Sequence, residues 1–350
     1  MNYQPVPHPL VQQIDGFIRR DPAQRGLIGT EPRFGPLCPG HLAAAASHLA
    51  LHATRVTIVT GFYIPKGDPP AAETDGPPGS LLLAAALHRV GIHTEVVADR
   101  FCLQAVSIAA RETGFPESLV IEYPHPITEP GHDADLETST WRTEFFRTRP
   151  DLSHLIAIER AGPSHTPWSL AAQNRPEPAP VDRFDREVLE IHRDRCHNMR
   201  GEVIDEFTGD IHRLFEEARD QLPGVKTVGV GDGGNEIGMG HIPWEELFRR
   251  LPGEQAGRVP CRVSCDWNIV AGTSNWGAYA LAAAVLLERS AVEVLQPFDS
   301  DQQERLLKAM VAEGPAVDGV TRRREATVDG IPFRTYIQPW ESIRRLIGIG

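Results

Sequence analysis

Lysine is nearly missing from this chain. Only Lys66, Lys226 and Lys308 occur, so the basic charge is almost wholly arginine, and there is little material for Schiff-base chemistry. No run of basic residues exists beyond Arg322-Arg323-Arg324, and the net charge is -12. Both exclude a nucleic-acid surface, and the triplet reads as a solvated edge. No stretch of 18 apolar residues is present, which excludes a helical membrane span. Met1 to Pro9 has no basic start followed by an apolar run, so no secretory signal is read there and a cytoplasmic location is expected. The five cysteines are an odd count, which argues against a disulfide framework. Cys261, Cys265 and the Cys196-His197 pair lack the ligand spacing of a zinc site, so buried thiols are expected. No Gly-x-Ser-x-Gly elbow supports a hydrolase triad. His125, His132, His154, His165 and His197 are scattered and read as surface or core histidines. No internal repeat or low-complexity tract is found.

What the chain does have is glycine in one place. A short apolar run, Val225 to Val230, breaks into a loop with six glycines in the twelve residues from Gly229 to Gly240. Glycine at that density marks backbone in positive φ or pressed close to a neighbour. Asp232, Asn235 and Glu236 sit inside the loop. The spacing Gly229-x-Gly231-x-x-Gly234 fits the dinucleotide pattern, but Asn-Glu-Ile-Gly-Met-Gly is a poor helix start. Two carboxylates would also face a pyrophosphate. No nucleotide cofactor is therefore expected. A tight structural turn remains open; the favoured reading is a carboxylate-bearing loop that holds a cation or a polar substrate.

The rest of the chain reads as α/β: a mostly parallel sheet flanked by helices, taken as one domain over 1–350. β-Branched runs predict strands at Arg55 to Thr60, His93 to Ala98, Leu119 to Glu122, Leu152 to Ile158, Val225 to Val230 and within Arg262 to Ala271. Helical spacing predicts helices at Leu10 to Arg20, His41 to His52, Leu81 to Val90, Phe101 to Thr113, Asp135 to Phe146, Asp182 to Arg195, Glu206 to Leu222, Pro243 to Leu251, Ala278 to Glu288, Pro297 to Val311 and Trp340 to Ile347. Residues 163–195, rich in proline, read as an inserted arm or lid. Thr327 to Ile337 reads as a hairpin around Asp329-Gly330. Thr60-Gly61, Asp99, Glu159 and Asp232 end four strands, and a parallel sheet brings such ends to one rim, where ligands bind. Asp68, Glu73, Asp75, Asp99, Glu159, Asp232 and Glu236 form the acidic set. Carboxylates in one cleft repel unless protons or a cation intervene, and oxygen donors suit Mg²⁺ or Mn²⁺. Loop caps and solvated charges are the alternative for each.

Seven blocks occur in order: Thr60-Gly61-Phe62, Glu73-Thr74-Asp75-Gly76-Pro77-Pro78-Gly79, Asp99, Glu159-Arg160-Ala161-Gly162, Asn198-Met199-Arg200-Gly201, Gly229 to Gly240, and Ser274-Asn275-Trp276-Gly277. With these blocks the chain resembles the C-terminal domain family of D-glutamate cyclase over roughly residues 20 to 347. The resemblance implies an α/β fold and dehydration of D-glutamate, or a related amino acid, to the lactam 5-oxo-D-proline. The additional N-terminal domain of the mitochondrial cyclase is not expected here, and residues 163–195 look longer than the family's usual link. The candidate metal ligands are Asp75, Asp232, Glu73 and Glu236, holding Mg²⁺ or Mn²⁺. Glu73, Asp99 and Glu236 are the candidate catalytic groups. Gly61, Arg160, Asn198, Arg200, Gly233, Gly234, Asn235, Ser274 and Asn275 are the candidate substrate contacts. Arg160 or Arg200, and amides near Ser274-Asn275, are expected to bind a substrate carboxylate. The expected partner is a small amino acid or carboxylate, with a homo-oligomer allowed. Two other readings stay open: another metal-dependent enzyme on a small carboxylate or phosphate, and a non-catalytic metal- or metabolite-binding protein.

Overall fold

The computed structural model describes residues 8–124, 134–175 and 177–350. His125 and His132 lie outside the described residues, as does Glu129 in the loop between them. The β-branched runs form one six-stranded sheet: β1 Arg55–Thr60, β2 His93–Asp99, β3 Val120–Tyr123, β4 Leu152–Ile158, β5 Lys226–Gly231 and β6 Trp267–Val270. Every pairing is parallel, and the spatial order is β3-β2-β1-β4-β5-β6. This is a doubly wound order. Successive crossovers run one way from β1 and the opposite way from β4, and a crevice opens where they diverge.

The two-residue period of a strand sorts the core into two layers. Val56, Ile58, Val96, Ala98, Ile156 and Ile158 point to one face, where the helices His41–His52, Pro77–Arg89, Leu103–Thr113 and Ser274–Glu288 cover them. Val59, Val97, Leu155 and Ala157 point to the other, beneath Ala134–Arg147 and His212–Gln221. The Ser274–Glu288 helix is buried on all sides from Ser274 to Leu286, as an Ala- and Leu-rich helix without a polar face must be. It begins four residues earlier than its apolar run suggests, because the Thr273 side chain caps it by accepting from the Trp276 amide at 3.2 Å.

Three expectations change. The segment Thr327 to Ile337 is not a hairpin: only Val328 and Ile331 bridge. Pro332 then opens a short helix, Phe333–Tyr336, since proline suits a helix start and cannot extend a ladder. The expected helix Glu206 to Leu222 is shorter, His212–Gln221, preceded by one 3₁₀ turn. The inserted arm holds two helices, Pro167–Ala172 and Val181–Glu187. It packs Leu170, Phe184 and Val188 on Trp244, and none of its described residues lines the pocket described below.

Candidate functional site

The crevice between β1 and β4 gathers acid. Asp75 comes from the loop after β1, Glu159 directly follows β4, and Asp232 directly follows β5. All three are buried, and one carboxylate oxygen of each lies within 4.8 Å of the others. At that separation a pair of full charges repels by ~3.5 kcal/mol with an effective dielectric near 20. Three such pairs rival the net stability of a domain, so protons or a cation must neutralise them. Asp75 is held by the start of the Ser274–Glu288 helix: its oxygens accept from the Ser274 amide at 2.8 Å and the Asn275 amide at 2.9 Å. Glu159 accepts from the Ser274 hydroxyl at 2.5 Å. Its φ of +47° is a left-handed conformation costly for a non-glycine residue. Neither oxygen of Asp232 has a hydrogen-bond partner.

Glu159 belongs to the acidic set but not to the candidate ligands read from the sequence, and two residues outside that set join the trio. Asp329, from the failed hairpin, is buried at φ +54° with Oδ2 unpartnered. Arg25 reaches in from the N-terminal loop, with Nε 3.3 Å from Asp232 and Nη2 on Asp329. The loop is shaped by Asp21, whose carboxylate collects the amides of Arg25, Gly26 and Gly29 at 2.8, 2.9 and 3.1 Å. Glu73 lines the same cavity as Glu159, and its buried Oε1 has no partner. Five buried carboxyls therefore meet one guanidinium. Burial, then repulsion from Asp329, pushes Asp75 up to about 7. Burial and the neighbouring acids hold Glu73 and Glu159 well above the usual carboxylate range. Burial also raises Asp232 well above its usual range, although Arg25 opposes it. An all-oxygen donor set with orphaned buried atoms fits a hard divalent cation such as Mg²⁺ or Mn²⁺.

The remaining candidates divide. Glu236 faces its own loop and lies outside the trio: its two oxygens accept the amides of Asp232, Gly233 and Gly234 at 3.0, 2.6 and 2.7 Å. Those are the amides a pyrophosphate would need. Asp99 and Arg160, read as a catalytic acid and a substrate contact, form a buried ion pair at 2.6 Å. Arg160 also donates to the carbonyls of Gly61 and Gly209, both at 2.9 Å. Gly61 itself holds φ +107°, with Cys102 where a Cβ would stand. This group braces loops from inside the fold. Ser274 and Asn275 do bind a carboxylate with their amides, as their helix-start position implies, but the carboxylate is Asp75. Asn275 further takes the amides of Gly76 and Gly79 on its side-chain oxygen, at 3.1 and 2.8 Å. Cys261 and Cys265 are buried free thiols.

Asn198, Arg200 and Asn235 do line a cavity of about 80 Å³, together with Arg25, Glu73, Glu159, Met199 and Arg322. Asn198 shapes the wall, its oxygen accepting the amides of Arg200 and Glu202. Asn235 donates to the His197 carbonyl and leaves its buried Oδ1 unpartnered. The cavity thus has Glu73 and Glu159 on its floor, Asn235 with an orphan acceptor on its wall, and Arg200 and Arg322 at its mouth.

The family model described as D-glutamate cyclase-like, C-terminal, matches residues 14–186 and 186–346. A human relative, "D-glutamate cyclase, mitochondrial", is 31% identical over 281 residues. That alignment covers 79% of this chain and 39% of the relative, so the chain spans well under half of the longer protein. Among the described residues no helix is long and apolar enough to cross a membrane.

Proposed function

Because the chain belongs to the D-glutamate cyclase-like C-terminal family, we propose that it closes an acidic amino acid, D-glutamate first among them, into its five-membered lactam. The observation that carries this reading is the buried trio Asp75, Glu159 and Asp232, of which Glu159 lines a small pocket together with Glu73, Arg200 and Arg322. Such a pocket suits a zwitterion: an acidic floor and orphan acceptors for the ammonium, arginines for a carboxylate.

In the reaction the amine nitrogen bonds to the carbon of the γ-carboxylate, one C–O bond of that carboxylate breaks, and water leaves. The ammonium gives up two protons and the departing oxygen gains two, so no other reactant is needed. A divalent cation on Asp75, Glu159 and Asp232 would supply charge neutralisation for the γ-carboxylate oxygens. Glu73 is the proton carrier. Its carboxyl lines the cavity beside Glu159, and a proton taken up there can be handed on and replaced. Each proton taken from the amine by Glu73 replaces one passed to the departing oxygen. Asn235 Oδ1 accepts from the same ammonium and orients it. The cavity walls of Phe62, Ile64 and Met199 keep the attack dry.

The test is direct. Purified protein incubated with D-glutamate and Mn²⁺ is expected to yield a product lighter by one water, with none in chelator and far less from Glu73→Gln. Absence of product from every acidic amino acid tried, in protein that binds Mn²⁺, would replace the enzyme with a metal- or metabolite-binding protein.

A further inference from the structure

We propose that Arg322 and Arg200 form a two-guanidinium clamp that reads the α-carboxylate of the substrate, which makes Arg322 a specificity-determining residue. The proposal rests on the lactam-forming reading above and extends it to the part of the substrate that does not react.

Arg322 belongs to a triplet whose members part company in the fold. Arg323 is left in solvent, and Arg324 is tied to the Val311 and Ala312 carbonyls outside the pocket. Arg322 alone of the three turns into the cavity lining. Its backbone is held at φ +63°, a left-handed conformation that a long side chain does not take without external support. The support is visible: its amide donates to the Asp318 carbonyl and its carbonyl accepts from the Asp68 amide, both at 2.8 Å. Strain fixed from two sides serves to aim one side chain.

Arg200 stands on the facing wall and ties the two walls together by donating from Nη2 to the Val320 carbonyl at 3.0 Å. Arg322 spends only Nη2, on Glu202 at 3.3 Å. Among the described residues the Nε and Nη1 donors of both arginines have no partner. Two unspent guanidinium forks across a narrow mouth match the two oxygens of one carboxylate. Without a cation the floor repels any carboxylate, and the place beside the cation goes to the reacting γ-carboxylate, so the α-carboxylate is left to the arginines. Glu73 and Asn235, which line the cavity, are the acceptors for the ammonium instead. An amino acid has both groups on one carbon, so the ammonium on the wall and the α-carboxylate at the mouth leave the γ-carboxylate pointing to the acidic trio.

The experiment compares D-glutamate with 4-aminobutyrate, which keeps the amine and the reacting carboxylate and lacks the α-carboxylate. Both are titrated calorimetrically into the full chain with Mn²⁺, and both are assayed for lactam, in wild type, Arg322→Gln and Arg322→Lys. Loss of the clamp is expected to weaken D-glutamate by about 100-fold while 4-aminobutyrate changes by less than about threefold, since only the former loses charged hydrogen bonds. Lysine is expected to restore part of the loss, keeping the charge without the fork. Equal losses for both compounds, no loss for either, or no binding of either to wild type would overturn the clamp. Discriminating binding with no lactam formed would uphold the clamp and reject the cyclase reading.

Discussion

A carboxylate's role here is decided by where its two oxygens go. Glu236 gives both to the amides of its own loop, and Asp99 gives its charge to Arg160. Asp232 gives neither oxygen to a hydrogen bond and faces only Arg25, 3.3 Å away and shared with Asp329, so it has room for a further partner. The consequence is measurable in chelated protein. Burial and mutual repulsion raise Glu73, Asp75, Glu159 and Asp232 in the fold. The folded state therefore binds more protons than the unfolded state from about pH 4, where free carboxylates titrate, through about 7 and above. Stability is fully present below that window and is lost as pH rises through it. Melting temperature in chelator is expected to fall between about pH 5 and pH 8. Saturating Mn²⁺ should remove most of the fall and raise the melting point by about 5 °C at pH 8 if it is present at a hundred times its dissociation constant. Asp232→Asn should melt no lower than wild type in chelator, having lost one repelling charge, and should lose the rise with Mn²⁺. Thermal scans in the four conditions decide it; a full Mn²⁺ rise in the variant would remove Asp232 from the cation site. Asp75 and Asp232 were legible from sequence because each polar side chain sat in a glycine-rich break after a strand. Arg25 and Asp329 were not, because nothing local marks a residue whose partner is some 200 or more positions away.

At the scale of elements, strands read well and their endings less so. The runs Arg55–Thr60 and Leu152–Ile158 are found as the pattern predicts, since a β-branched run buried on both faces leaves few alternatives. The start of the Ser274–Glu288 helix was legible as an anion-binding site, but periodicity could not tell that the anion is Asp75, supplied from the loop after β1. The glycine loop likewise was legible as a place of close approach, and the partner was not. Gly229 lies against Gly238: a Cβ on Gly229 would stand 2.6 Å from the Gly238 Cα, backbone that cannot swing aside. Gly229→Ala is therefore expected to destabilise the chain by about 3 kcal/mol. It should also displace Asp232, three residues on, so that Mn²⁺ no longer raises the melting point. Denaturant unfolding measures the first effect. A midpoint within error of wild type would show that the two segments can part without cost.

Across the whole molecule, the doubly wound order explains why residues from five separate segments share one cleft. β1 and β4 carry Asp75 and Glu159 to the crevice where the crossovers diverge, β5 adds Asp232, and the two chain ends close it with Arg25 and Asp329. Fold class and sheet direction were legible because βαβ spacing enforces them. The closing of the cleft by the ends was not, since loops of irregular backbone carry no period. A crystal of the protein grown with Mn²⁺ and measured at the manganese absorption edge tests the central claim most directly. The strongest anomalous peak is expected within coordination distance of Asp75, Glu159 and Asp232; a site without such a peak, or with manganese bound elsewhere on the molecule, would contradict it.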